Sequence, residues 1–213
     1  TGSFQLGGGY STKNGWIGYI SVEENNLMGK GKKLKFNYEY GGVTNYTIDY
    51  YDPWFLKSDY SFGVNAYNKS SDTTTKEGTY TENKTGGSIS LGHPIGDTWN
   101  GSIKLKTEKY NIKWDKQVNN EKGKTNSLIL EASRDTSNSF LNPTDGKKDV
   151  FSLEYTGQML GGSNNFNKLN YDLRRYFKGF NQQQALVLRM KLGLSKGELP
   201  LKDKYKLGGP QTL

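Results

Sequence analysis

Cysteine is absent from the 213-residue chain, and the single histidine is His93. The lack of cysteine excludes disulfides and thiolate metal sites, and one histidine without cysteine is too little for an ordinary zinc site. No apolar run approaches the roughly 18 residues that a membrane-spanning helix needs. The carboxylates are spread out and no serine sits in a nucleophile elbow, so we expect no enzyme activity, no metal and no cofactor.

The chain also has few hydrophobic residues, 32% of the total, and its mean hydropathy is −0.83. Disordered chains share that polarity but are poor in aromatic residues, whereas aromatic residues make up 13% here. A transmembrane β-barrel combines both properties, because only every second strand residue meets lipid and aromatic belts mark the two interfaces. A soluble β-sandwich that binds glycans on exposed aromatic rings is the alternative.

Acidic residues are outnumbered, 21 against 29 Lys and Arg, which leaves a net charge of +8. The lysines are scattered rather than clustered, so we expect no nucleic-acid partner. A basic surface of this kind favours anionic lipid or the phosphates of lipopolysaccharide.

Alternation with a period of two runs through almost the whole chain and predicts β-strands. Near the carboxyl end, Arg189 and Lys191 alternate with the apolar residues Leu186, Leu188, Met190, Leu192 and Leu194. A charge on a lipid-facing position near the midplane would cost about 2–4 kcal/mol. We therefore predict that Arg189 and Lys191 point into a barrel lumen, where Glu131 or Glu154 could pair with them.

One strand alternates less cleanly. In SIKLKTEKYNIKW the apolar phase begins on Ile103 and Leu105 and resumes on Tyr110, Ile112 and Trp114. The slip indicates either a β-bulge or a strand that continues beyond the membrane.

The connections are of two kinds. Short turn segments such as YDPWF and HPIGD alternate with long polar stretches such as NKSSDTTTKEGTYTENK and WDKQVNNEKGKTN. Short turns on one side and long loops on the other are typical of outer-membrane barrels. Trp54 and Trp99 lie beside short turns, and Trp16 and Trp114 lie at the opposite strand ends, which predicts two interfacial aromatic belts.

The pattern predicts an all-β fold, an antiparallel transmembrane β-barrel of the outer membrane, with about eleven strands. Single-chain bacterial barrels close with an even number of strands, since an open edge in lipid leaves backbone groups unsatisfied. An odd count predicts an incomplete barrel.

Six segments together resemble the barrel of the BamA family of outer-membrane assembly proteins and its relative, the TamA family. They occur in the family's order and approximate spacing, and are TGSFQLGGGYSTKNG, EENNLMGKG, YDPWF, LGHPI, NPTDG and LGGPQTL. The resemblance implies that residues 1–213 are the amino-terminal part of the membrane barrel domain. The periplasmic repeat domains and about five closing strands would lie outside the chain, and the sixth loop would lack its anchoring motif.

The resemblance also implies a function. Family members insert and fold β-barrel client proteins of a Gram-negative-type outer membrane, at a seam where the first strand pairs loosely with the last. The client-binding strand would then comprise Ser3, Phe4, Gln5, Leu6, Gly7, Gly8, Gly9 and Tyr10. The glycines would weaken the seam and let another backbone approach, or they would mark a sharp bend. Expected partners are unfolded outer-membrane proteins, outer-membrane lipids, lipopolysaccharide and accessory lipoproteins.

A related outer-membrane transporter would share this architecture. The candidates are a TamA-like protein, a two-partner secretion pore and an autotransporter barrel.

Overall fold

The computed structural model describes residues 2–11, 15–41, 43–75, 78–115, 120–139, 141–179 and 184–205. Strand is the dominant element in these segments. The strands are β1 (Gly2–Ser11), β2 (Gly15–Leu27), β3 (Lys32–Gly41), β4 (Val43–Asp52), β5 (Ser61–Thr75), β6 (Gly78–Ile95), β7 (Trp99–Trp114), β8 (Glu121–Asp135), β9 (Gly146–Thr156), β10 (Phe166–Lys178) and β11 (Ala185–Gly197). Single 3₁₀ turns occupy Phe55–Lys57, Gln158–Leu160 and Leu201–Asp203. No described helix is long and apolar enough to cross a membrane.

The eleven strands form one antiparallel sheet in sequence order, from β1 to β11. The predicted fold class is thereby confirmed. Within the described part of the chain the sheet is open, since β1 and β11 each pair with a single neighbour. The residues described here form no second sheet, as a sandwich would require, so the glycan-binding sandwich is ruled out as a fold.

The sheet has an apolar face and a polar face. On the apolar face, one row of paired residues crosses five strands without a polar side chain: Leu91, Ile103, Leu130, Leu153 and Leu169. Of these, Ile103 is 55% exposed and Leu91 is 48% exposed. Large aliphatic side chains left open in a continuous band are the pattern of a surface that faces lipid. The polar face carries Ser21, Asn37, Asp49, Asn65, Lys106 and Glu108.

The polar stretches predicted as long loops are mostly strand. NKSSDTTT continues β5 and GTYTENK begins β6, and their register runs unbroken from Ser61↔Gly92 to Thr75↔Gly78. Strands β5 to β8 have 15 to 18 residues, against the 9–11 or so that cross a bilayer. The loop prediction was wrong because these hairpins project past the apolar band and are polar on the face that lipid would otherwise cover.

The irregular alternation of β7 has the same cause. The strand pairs with β6 and β8 in continuous register, so it contains no bulge. Instead, the face that carries the large apolar side chains changes along the strand. Ile103 and Leu105 are exposed on the apolar face, whereas Tyr110 and Ile112 are buried on the polar face. Of the two interpretations offered by the sequence, a strand that continues beyond the apolar band agrees with this pairing and burial, and a β-bulge does not. A register shift does occur in β2, between Glu24 and Leu27.

A small core on the polar face explains this reversal. Tyr80, Tyr110 and Ile112 form a buried cluster, against which Trp114 and Leu201 pack. Leu201 comes from the segment after β11, and its backbone N–H donates to the Glu121 carboxylate at 3.3 Å. Residues 198–205 are therefore docked on the polar face by their own contacts.

Lys202 is the centre of this docking. Its side chain is only 2% exposed, and its Nζ lies 2.7 Å from Glu108 and 2.6 Å from Asp203. Burial alone would lower the pKa of Lys202, but the carboxylates of Asp203 and Glu108 outweigh it and raise that pKa above its ordinary value. Tyr67 donates a hydrogen bond to the same Glu108 carboxylate.

We predict that Lys202→Met destabilises the folded chain by about 3 kcal/mol, because Glu108 would stay buried with Lys106 as its remaining cation. Lys204→Met removes the same charge from an exposed position and serves as the matched control. The measurement is urea unfolding in detergent, followed by the heat-dependent gel shift of folded barrels. Equal midpoints for the two variants would show that the Lys202 ion pairs do not hold this segment.

Candidate functional site

The first strand is the candidate site because it ends the sheet. β1 pairs with β2 from Gly2↔Glu24 to Ser11↔Gly15 without a register shift, and no other described strand lies on its far side. Its apolar-face residues are unusually open: Phe4, Leu6 and Tyr10 are 67%, 69% and 68% exposed. An edge of this kind presents a row of unpaired N–H and C=O groups that can template another strand.

The three glycines of β1 differ in what surrounds them. A Cβ on Gly7 would lie 2.1 Å from Cε1 of Tyr19, its cross-strand partner, so the tyrosine ring covers this glycine. A Cβ on Gly8 would lie 3.3 Å from the carbonyl oxygen of Ile17, and one on Gly9 would meet nothing within 4 Å. Gly7 is thus required by a packed ring, whereas Gly9 faces open space.

The pairing of β1 with β2 is continuous through the three glycines. The β1–β2 register passes through Gly7, Gly8 and Gly9 with every residue opposite a partner. Gly8 stands opposite Gly18, so two adjacent strands lack side chains at one apolar-face position. This leaves a shallow gap in the apolar band beside the open edge, where another chain can approach closely.

Of the four tryptophans predicted to be interfacial, two lie on the apolar face, one lies in a connection and one lies on the polar face. Trp16, at the beginning of β2, is 79% exposed and packs edge-on against Tyr10 at 5.6 Å between centroids. Trp54 lies in the β4–β5 connection and is 60% exposed, and Trp99 begins β7 on the apolar face. Trp114 is at the predicted strand end but on the polar face, where its ring packs at a tilt against Tyr80, with 4.8 Å between centroids. It belongs to the small core and not to an outer belt.

The predicted lumen charges lie on the polar face of β11, at the other edge of the sheet. Their partner is Asp172, which sequence reasoning missed: Arg189 lies 2.5 Å and Lys191 4.0 Å from its carboxylate. Lys191 and Asp172 are direct cross-strand partners. The predicted partners Glu131 and Glu154 lie on β8 and β9, one or two strands beyond β10, whereas Asp172 lies on β10, the strand that pairs with β11.

His93, the single histidine, makes packing and hydrogen-bond contacts rather than metal contacts in the described residues. The His93 ring packs at a tilt against Tyr60, with 4.4 Å between centroids, and its Nδ1 lies 2.6 Å from the carbonyl oxygen of Pro94. Among the residues described, no group of three His, Asp or Glu side chains could hold a metal ion. The LGGPQTL segment lies outside the described residues.

Comparison with known proteins gives the chain a family. A model of the Omp85 superfamily domain matches residues 26–213. Among solved structures, BamA from Haemophilus ducreyi lacking POTRA domains 1–3 aligns with 99% of this chain at 19% identity and a TM-score of 0.79. CdiB from Acinetobacter baumannii aligns with 98% at 16% identity and a TM-score of 0.61. The chain covers 44% and 41% of those two chains, and at these identities the likeness concerns the fold.

The glycine environments predict opposite effects for two alanine substitutions. Gly7→Ala displaces the Tyr19 ring and should weaken β1–β2 pairing by about 1 kcal/mol. Gly9→Ala meets no atom and should strengthen pairing by about 0.5 kcal/mol, since alanine loses less backbone entropy. Hydrogen exchange of the β1 amides measures both effects.

The Tyr19→Ala background provides the control. Without the ring, Gly7→Ala should lose its penalty and behave like Gly9→Ala. A penalty that persists in that background would show that Gly7 is needed for another reason.

Proposed function

Because the chain belongs to the Omp85 superfamily, we propose that it is part of an outer-membrane assembly factor that folds and inserts β-barrel client proteins. The open edge of β1 is the observation that carries the proposal. Its exposed backbone would pair with a strand of the incoming client, so that the client extends the sheet by β-augmentation. The neighbouring membrane would be that of a Gram-negative-type bacterium.

Backbone pairing suits a factor with many clients. Main-chain hydrogen bonds carry no side-chain preference, so any amphipathic client strand of suitable length can add to β1. The client's own apolar face would then continue the apolar band of β1, where Phe4 and Leu6 are open. Burial of client apolar surface in lipid supplies the free energy, and no nucleotide or cofactor is needed.

For a client strand to pair with β1 and later leave it, the β1 edge must open at low free-energy cost. In the described part of the chain the ten residues of β1 pair on one side only, and the glycines at positions 7, 8 and 9 bring no side chain of their own to that pairing. An edge strand with few contacts opens at low free-energy cost.

Lipopolysaccharide, lipids and accessory lipoproteins are the further partners that we propose, with no nucleic acid.

The absence of cysteine allows a direct crosslinking test. Gln5→Cys introduces a thiol on the polar face of the open edge, and client proteins carry single cysteines in their terminal strands. We expect disulfides between Gln5→Cys and one register of the client strand during assembly in the native membrane.

The matched control is Asn65→Cys, also on the polar face but in β5, which is paired on both sides through Asp49 and Ser88. It should give no client disulfide. Equal crosslinking from both positions would contradict strand templating at β1.

A transporter of the same superfamily is the second candidate, since the fold also resembles that of CdiB. The same experiment separates the two. A secretion pore would yield crosslinks from polar-face positions to a secreted chain in transit, with no fixed register at β1.

A further inference from the structure

A charged cluster interrupts the apolar face near the end of the sheet where β6–β7 and β8–β9 connect. We call it the basic patch, formed by Arg134 on β8, Lys147 and Asp149 on β9 and Arg175 on β10. Arg134 is the cross-strand partner of both Trp99 and Asp149, and Lys147 is that of Arg175. The four side chains therefore share one face with the aliphatic row that contains Ile103 and Leu130.

Asp149 is the one carboxylate on the apolar face of β8, β9 and β10 as described, and it is almost fully covered, at 4% exposure. Arg175 lies 3.0 Å from its Oδ1, and the Tyr171 hydroxyl donates to the same oxygen at 2.9 Å. Three cations against one anion leave the basic patch with an excess of two positive charges. On a surface that faces lipid, such an excess is costly unless an anion from outside the protein balances it.

Arg134 shows where that anion would sit. Its Nε is buried and, within the described part of the chain, has no hydrogen-bond acceptor. The guanidinium carbon Cζ lies 5.9 Å from the centre of the Trp99 ring, within cation–π distance. Because a buried donor without an acceptor is unfavourable, Arg134 would gain from an oxygen acceptor that reaches its guanidinium.

The basic patch lies beyond the aliphatic row along the strands, at the level where a lipid headgroup would be. Along β8, Arg134 comes two apolar-face positions after Leu130, which belongs to the aliphatic row, and the strand ends at Asp135. Trp99 marks the same level on β7, as tryptophans do at membrane interfaces. Lys147 is exposed at the same end of β9.

We propose that the basic patch binds the phosphate of an anionic phospholipid, with Arg134 and Arg175 as the donors and Trp99 packed against the lipid beside them. The planar guanidinium fork matches phosphate oxygens, and two excess charges favour an anionic headgroup over a zwitterionic one. The choice of phospholipid over lipopolysaccharide rests on the proposed function, in which this end of the sheet carries the periplasmic turns.

The test compares two arginines that are close in space but on opposite faces. Arg134→Gln removes the donor from the basic patch. Arg174→Gln removes the same charge from the polar face, where Arg174 lies 3.3 Å from Asp172. Native mass spectrometry of the whole purified protein, titrated with phosphatidylglycerol in detergent, gives the number of bound lipids and their apparent Kd.

We expect Arg134→Gln to weaken phosphatidylglycerol binding about tenfold, the effect of losing one charge-assisted hydrogen bond, and Arg174→Gln to leave it unchanged. Phosphatidylcholine should bind weakly to all three proteins. Arg134→Lys, which keeps the charge without the planar fork, should fall between wild type and Arg134→Gln, and it replaces Arg134→Gln if that variant fails to fold.

Three results would overturn the proposal: equal phosphatidylglycerol affinity in Arg134→Gln and wild type, equal losses in Arg134→Gln and Arg174→Gln, or tighter binding of lipid A than of phosphatidylglycerol. Client crosslinking at Gln5→Cys does not use the patch, so it reports separately on the proposed function. Loss of lipid binding in Arg134→Gln, together with no client crosslinking at Gln5→Cys, would support the patch and remove the assembly role.

Discussion

The requirement that every backbone N–H and C=O in lipid has a hydrogen-bond partner governs this molecule. Nine of its strands meet that requirement with a neighbour on each side, while β1 and β11 meet it on one side only in the described part of the chain. An unpaired edge beside lipid is unfavourable until another strand covers it. The two edges differ in the side chains that line them. On β11, Arg189 forms an ion pair with Asp172, whereas β1 carries glycines that leave its backbone exposed.

The same sheet serves two environments. In the apolar band, side chains such as Ile103 point towards lipid and the opposite face is polar and wet. Beyond the band, strands β5 to β8 continue into water, and there the buried face is the polar one, where Tyr110 and Ile112 meet Leu201. The ion pairs of Lys202 hold this contact, so a segment from the β11 edge is tied to the middle of the sheet.

The sequence was most informative where structure depends on neighbouring residues. Alternation within a strand is local, so the strand count and the faces of Arg189 and Lys191 could be predicted. Contacts between distant strands could not: nothing near Glu108 in sequence indicates Lys202, and nothing near Tyr19 indicates Gly7. The hairpins of β5 to β8 were mistaken for loops because a strand without a lipid face has the composition of a loop. Trp114 was predicted to lie in an interfacial belt because of its position at the strand end. Its contact with Tyr80 on the polar face involves a distant part of the sequence and could not be predicted.

Lipid exposure along β7 tests the central claim most directly. Single cysteines at positions 103, 104, 105 and 106, each carrying a spin label, would be compared for collision with oxygen in the bilayer and with a water-soluble nickel complex. Alternation is the predicted result, with lipid contact at Ile103 and Leu105 and water contact at Lys104 and Lys106. Uniform access of the nickel complex to all positions would contradict a membrane-embedded sheet.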